Sequence, residues 1–264
     1  MRAAVLASAV VGRLTGALFP DYCVLCGAAA ETRGLCTRCL LDLPRIRNAC
    51  GRCAVPLPRG GECADCARRP PPFVAARAAL SWAFPVDAAL KALKFRRRLH
   101  YVPAFAGLLA PLLAESFPGV DALVPVPLHR WRHATRGFNQ ARELCRPLGR
   151  TTGLPIDRQV RRIRRTPPQA GLDAAARRRN LRGAFAVSGR LRCRHPLIID
   201  DVMTTGETCR QLAAVLLDAG ADTVSVLTVA RTATPLQEPV SRATPRAGAA
   251  REPIPGARST AGRP

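Results

Sequence analysis

Between residues 74 and 231 the apolar positions fall into short runs divided by turn residues, and the runs alternate in period. VAARAALSWAF (74–84) reads as a strand, while VDAALKALKF and FAGLLAPLLAESF carry the i, i+3, i+4 spacing of helices. DALVPVPLH is a short strand ending in prolines, GFNQARELCRPLGRTTG a helix with a glycine stop, and LPIDRQVRRI the start of another strand. After AFAVSG come the strand PLIID, the helix ETCRQLAAVLLDAG and the strand TVSVLTVA. Strands alternating with helices of this length predict βαβ units and a parallel sheet, so the fold class is α/β.

The first 70 residues follow a different pattern. In MRAAVLASAVVGRLTGALF, Leu6, Val10, Leu14 and Leu18 recur at i+4, and Arg13 breaks the apolar run before it reaches the length of a membrane span. An amphipathic helix over 1–20 is therefore expected in preference to an export signal. Eight cysteines then form four CxxC pairs: Cys23/Cys26, Cys36/Cys39, Cys50/Cys53 and Cys63/Cys66. A two-residue spacer lets both thiolates of a pair bind one metal, and two pairs complete a tetrahedral four-cysteine zinc site. Two structural zinc ions fit, with the first two pairs on one ion and the last two on the other as the simpler assignment; a crossed pairing stays open. Few large apolar residues separate the pairs, so metal ligation is expected to supply much of this module's folding free energy. Cys145, Cys193 and Cys209 lack such spacing and read as buried thiols.

Composition bounds the rest. With 264 residues, 48% of them apolar, the chain can bury one sizeable core beside a smaller module. Forty-one basic against eighteen acidic residues give +23, which favours polyanionic partners: nucleic acid, anionic membrane or phosphorylated metabolites. Residues 129–195 alone hold eighteen arginines against Glu143, Asp157 and Asp173, a local charge of 18 − 3 = +15. Only Trp131, Phe138 and Phe185 interleave there, few aromatic faces for stacking on bases. The last residues, TPLQEPVSRATPRAGAAREPIPGARSTAGRP, are nearly free of large apolar side chains and are expected to be disordered.

The densest chemistry lies in LIIDDVMTTGET (197–208). LII is a strand, Asp200 and Asp201 stand at its carboxyl end, and a helix follows the TTGET turn. Ligands of open α/β sheets bind at the carboxyl ends of strands, and a helix N-terminus attracts phosphate. Thr204, Thr205 and Thr208 add hydroxyl donors, and Gly206 lets the backbone approach an anion. The two carboxylates would repel a phosphate, so they suit another part of the same ligand. Vicinal sugar hydroxyls, or a nearby Mg²⁺, fit them. A ribose 5-phosphate satisfies both ends.

That stretch closely resembles the phosphoribosyl-pyrophosphate (PRPP) loop of the type I phosphoribosyltransferases. Together with the CxxC module, LKFR, VPVPLHRWRHATRGFNQA and RRTPPQAGLDAAARRRNLRGAF, it resembles the ComF family over residues 20–231. The resemblance implies a type I phosphoribosyltransferase-like parallel sheet flanked by helices, behind an N-terminal double zinc ribbon. The implied domains are the helix (1–20), the double ribbon (21–69), the phosphoribosyltransferase-like domain (70–232) and the tail (233–264). It assigns Asp200 and Asp201 to the ribose hydroxyls, and Thr204, Thr205, Gly206 and Thr208 to the 5-phosphate. Leu128, His129 and Arg130 stand where the family binds the diphosphate. Arg165, Gln169, Arg177 and Asn180 match the loop that closes over PRPP and stabilises the departing pyrophosphate. The role of RGFNQA, with Arg136, Asn139 and Gln140, does not follow from the sequence.

Cysteine usage without a convincing export signal points to a cytoplasmic location, and the short apolar run to no transmembrane span. The resemblance further implies PRPP and Mg²⁺ as ligands and a link to DNA uptake in natural competence. It leaves the acceptor unidentified and a homodimer open. The zinc module is a candidate to lie over the site in place of a base-reading hood, a geometry that ribbons far from Asp200 would refute. A second reading keeps the fold as a non-catalytic adaptor that binds PRPP, nucleotide, single-stranded DNA or a competence helicase.

Overall fold

The computed structural model describes residues 22–30, 34–129, 137–164 and 183–233. The helix expected over 1–20, Arg130, Arg136, Arg165, Gln169, Arg177, Asn180 and the tail from 234 onward lie outside the described residues. Two short helices, α1 (Thr37–Asp42) and α2 (Ala64–Arg68), belong to the cysteine module. The α/β part runs β1 (Ala75–Ser81), α3 (Val86–Arg96), α4 (Tyr101–Ser116), β2 (Ala122–Pro125), α5 (Gln140–Thr152), β3 (Val160–Arg162), β4 (Phe185–Val187), β5 (Pro196–Met203), α6 (Glu207–Asp218) and β6 (Ser225–Arg231).

Four strands form a parallel sheet in the order β1-β6-β5-β2. All seven residues of β6 are buried, as a central strand covered on both faces requires. Alternate side chains enter two cores. Leu197, Ile199, Leu227 and Val229 pack with α3, α4 and α5, whereas Ile198 and Val226 pack with α6 and the β3–β4 pair. The α/β parallel sheet flanked by helices is therefore present as expected. Two details differ from the sequence reading. The strand expected to end near Asp201 continues to Met203, because DDVM keeps its register with β6 through Asp200↔Thr228 and Met203↔Arg231. LPIDRQVRRI and AFAVSG yield β3 and β4, which pair antiparallel with each other outside the main sheet. Before β3 the chain runs briefly parallel to β2, where Leu123 N–H donates to Pro155 O and Asp157 N–H donates to Leu123 O.

The exposed edge of β1 is closed by the cysteine module. Arg45 bridges Leu80, and Ser81 N–H donates to Pro44 O at 2.7 Å. Cys145, Cys193 and Cys209 are buried thiols; burial pushes Cys193 up to about 12. No helix among the described residues is long and apolar enough to cross a membrane.

Candidate functional site

The eight paired cysteines assemble sequentially into two tetrads, Cys23/Cys26/Cys36/Cys39 and Cys50/Cys53/Cys63/Cys66, each with its sulfurs within 4.8 Å of one another. The tetrads are repeats, since each cysteine recurs 27 positions later (50 − 23 = 66 − 39 = 27). A first knuckle turns through a left-handed residue, Gly27 (φ +77°) or Ala54 (φ +57°), whose N–H donates to the carbonyl of Cys23 or Cys50. The second knuckle opens a helix, with Cys36 and Cys63 as the N-caps of α1 and α2.

All eight thiols are free, and the sulfurs of Cys26 and Cys36 and of Cys53 and Cys63 are 3.7 and 3.6 Å apart. A zinc ion about 2.3 Å from each sulfur sets neighbouring sulfurs about 3.8 Å apart, whereas a disulfide needs about 2.05 Å. The donor set therefore fits zinc. Backbone N–H groups also aim at the sulfurs, from Cys39 to Cys36 Sγ at 3.4 Å and from Cys63 to Cys50 Sγ at 3.3 Å. Burial opposes the Cys23 and Cys50 thiolates, but backbone N–H donors outweigh it and lower them to about 6 and about 7. Burial raises Cys53 to about 11 against the Val55 N–H and the Arg231 charge, and burial with neighbouring sulfurs pushes Cys39 and Cys66 up as well. Sulfurs this close cannot all ionise without a cation among them.

The second constellation lies at the carboxyl end of the sheet. Asp200 Oδ1 accepts from the N–H of Asp201 at 2.8 Å, and Asp201 Oδ1 accepts from the N–H of Val202 at 3.0 Å. Each acid thus turns one oxygen onto the backbone. Asp201 is only 5% exposed; its Oδ2 lies 3.2 Å from Lys94 Nζ and accepts no hydrogen bond among the described residues. Burial first, then the charge of Asp201, raises the Asp200 carboxyl well above the usual carboxylate range, while Lys94 pulls it down. Thr204, Thr205 and Gly206 (φ +75°) form the turn, and Glu207 N–H donates to Thr205 Oγ1 as α6 begins, with Thr208 in its first turn.

The loop through Leu128 and His129 leaves β2 beside this turn, since Pro125 pairs with Ile199 and Val126 N–H donates to Ile199 O. RGFNQA now has a role. Asn139 caps α5 by accepting from Arg142 N–H, and its Nδ2 donates to Val126 O at 3.0 Å, pinning the base of that loop.

Sequence reasoning overlooked Lys94 and Arg231. A signal existed for Lys94: the chain has only two lysines, Lys91 and Lys94, in a background of arginine. A compact ammonium serves a buried carboxylate where a planar fork would not fit. Nothing in VLTVART distinguishes Arg231 from a surface arginine.

Fold and donor sets together define a double zinc-ribbon protein with an α/β domain whose parallel sheet is flanked by helices. Residues 14–67 match the double zinc ribbon domain family. The chain is 36% identical to the DNA utilization protein YhgH of Escherichia coli over 217 residues, which are 80% of this chain and 90% of that one. It is equally similar to YhgH of Salmonella typhimurium over the same shares. Competence protein F of Haemophilus influenzae is 28% identical over 75% of this chain and 90% of its own. A solved structure of the allosteric regulatory enzyme of purine biosynthesis overlays at a TM-score of 0.32 with 22% identity, across 48% of this chain and 25% of that one, too partial a likeness to reason from. The chain belongs to the ComF family, to which these DNA utilization and competence proteins correspond.

Proposed function

We propose that this protein binds PRPP at the β5–α6 turn and transfers its phosphoribosyl group to an acceptor in DNA utilization. One observation carries the reading: two carboxylates among the last four residues of β5, each with one oxygen spent on the backbone, stand two residues ahead of a Thr-Thr-Gly turn at a helix N-terminus. Thr204, Thr205, Gly206 and Thr208 take the 5-phosphate with hydroxyl and N–H donors. Asp200 and Asp201 take the ribose hydroxyls, with Lys94 Nζ 3.2 Å from Asp201 Oδ2 and its charge opposing the upward shift of the Asp200 carboxyl.

Leu128 and His129 offer backbone groups to the diphosphate, and Arg130, next in the sequence, is assigned to it with them. Arg165, Gln169 and Arg177, assigned to the departing pyrophosphate, follow β3 in a segment that returns through β4; its flanks are tied by Ile163 N–H donating to Ala184 O. Mg²⁺ bound with PRPP would offset diphosphate charge, and the unspent carboxylate oxygens suit it. In the transfer, the C1–O bond breaks with its electron pair leaving on pyrophosphate, and the acceptor's nucleophile bonds to C1 and loses a proton. The protein's part is positioning and charge stabilisation.

The domain limits at 21–69 and 70–232 belong to this proposal. So does the placement of the ribbons beside the turn in the role of a hood: Cys53 is one side chain away from Thr204 through Arg231. The strongly basic chain favours the adaptor as the second reading. Calorimetric titration of PRPP with Mg²⁺ into the zinc-loaded protein separates the two. Binding lost in Asp200→Ala/Asp201→Ala supports the transferase site. No PRPP binding, together with salt-sensitive single-stranded DNA binding, supports the adaptor.

A further inference from the structure

Arg231, the last residue of β6, is 3% exposed, and its guanidinium donates to four backbone carbonyls and, at 3.5 Å, to the Thr232 hydroxyl. Nε donates to Cys53 O at 2.9 Å, while Nη1 donates to Met203 O at 3.1 Å, to Thr204 O and to Thr232 O at 2.8 Å. Among the described residues no carboxylate forms an ion pair with it. A buried cation with no carboxylate partner among the described residues is expensive, so its carbonyl partners must be fixed for it to persist. Three segments meet on one side chain: the second ribbon, the end of β5 with the first turn residue, and the chain just beyond β6.

The peptide group is planar and trans, so its C=O and N–H point in opposite directions. Holding Thr204 O on the guanidinium therefore aims the N–H of Thr205 away from Arg231. The same alignment turns the positive ends of these peptide dipoles outward, with a full positive charge behind them. On the other side, Cys53 is a tetrad cysteine, and its carbonyl is presented by a knuckle whose next residue, Ala54, sits at φ +57° with its methyl buried against the core that holds Met203.

We propose that Arg231 is a positioning residue that sets the phosphate turn through the second zinc ribbon, so that PRPP affinity depends on metal in the Cys50/Cys53/Cys63/Cys66 tetrad more than in the other. This rests on the reading of the β5–α6 turn as the PRPP phosphate site.

The test uses the full chain, zinc-loaded, with PRPP and Mg²⁺ titrated by calorimetry and zinc counted for each variant. Arg231→Lys keeps the charge but cannot span carbonyls from three segments; it is expected to weaken PRPP by about 10- to 100-fold with both zinc ions retained. Cys66→Ser is expected to lose one zinc and weaken PRPP by a comparable factor. Cys39→Ser also loses one zinc but weakens PRPP by a clearly smaller factor. The double variant Arg231→Lys/Cys66→Ser is expected to be no weaker than the worse single one, because both break one linkage.

Wild-type affinity in Arg231→Lys overturns the proposal, as do equal losses from the two cysteine variants or additive losses in the double. If Cys66→Ser does not fold, Arg231→Lys decides alone, since it leaves every cysteine in place. Should the wild type bind no PRPP, the phosphate-site reading fails separately. The coupling is then read from hydrogen exchange of residues 203–212. Faster exchange in Arg231→Lys and Cys66→Ser than in Cys39→Ser upholds the linkage, and equal exchange removes it.

Discussion

The two zinc ribbons repeat one motif in different surroundings. In the first, Cys26 is exposed and Cys39 half-buried, while Cys23 and Cys36 join the core beneath α3 and α4. In the second, all four cysteines are buried, and the ribbon is fastened to the sheet by Arg77 Nη1 donating to Gly51 O at 3.0 Å and by Arg231. The left-handed knuckle residue differs accordingly. Gly27 has nothing within 4 Å of a built Cβ, whereas Ala54 buries its methyl in the second core. The cysteines define a ribbon, and the residues between and beyond them define what it holds.

The largest expected contrast comes from losing one ligand on each side. Structural zinc contributes about 10–16 kcal/mol of site free energy, so either substitution releases metal. Cys50→Ser also buries a hydroxyl in a site that is 1% exposed and should lower the Tm of the α/β part further than Cys26→Ser. Thermal denaturation with zinc counting checks this, and equal melting would break the contrast.

A smaller effect is expected at the acids of β5. The raised Asp200 carboxyl means that the folded state holds this proton more tightly than the unfolded chain does. Stability is therefore lost as pH rises from the ordinary value of 3.8 through the raised folded value. Asp200→Asn removes that loss, so it should weaken PRPP binding yet raise Tm at pH 7, by about 2–4 °C per kcal/mol recovered. The gain should vanish when melts are repeated in acid, and a Tm that falls at pH 7 would contradict the assignment.

Arg77→Met removes the second ribbon's hold on β1 and should cost about 1 kcal/mol in denaturant unfolding, with zinc retained in both tetrads. The finest contrast is a reciprocal pair. Gly27→Ala places a methyl at positive φ with nothing to pack on and should cost about 1 kcal/mol. Ala54→Gly relieves a similar strain but gives up a buried methyl worth about 0.8 kcal/mol, so its stability should change by less than about 0.5 kcal/mol. Equal effects from the two substitutions would mean that the knuckles are interchangeable.

The residues of LIIDDVMTTGET and the eight cysteines were legible because their chemistry is local. A two-residue spacer puts two sulfurs on one metal, and a strand–turn–helix puts threonines and an N-terminus on one anion. The order of strands and helices was equally open to reading, since period depends on neighbours in the chain. Leu128 and His129 followed from the same logic, as a loop leaving a parallel strand.

The sequence alone determined which cysteines could hold zinc and where the acidic pair and the Thr-Thr-Gly turn stand along the chain, together with the α/β class of the sheet. Tertiary structure decided how the tetrads pair, that β3 and β4 leave the main sheet, that Lys94 meets Asp201 and that Asn139 holds Val126. It also decided that Arg231, 178 positions from Cys53, closes on that carbonyl. Periodicity and ligand spacing act over a few residues, whereas the partner of a buried charge is whichever distant backbone the packed fold brings to it.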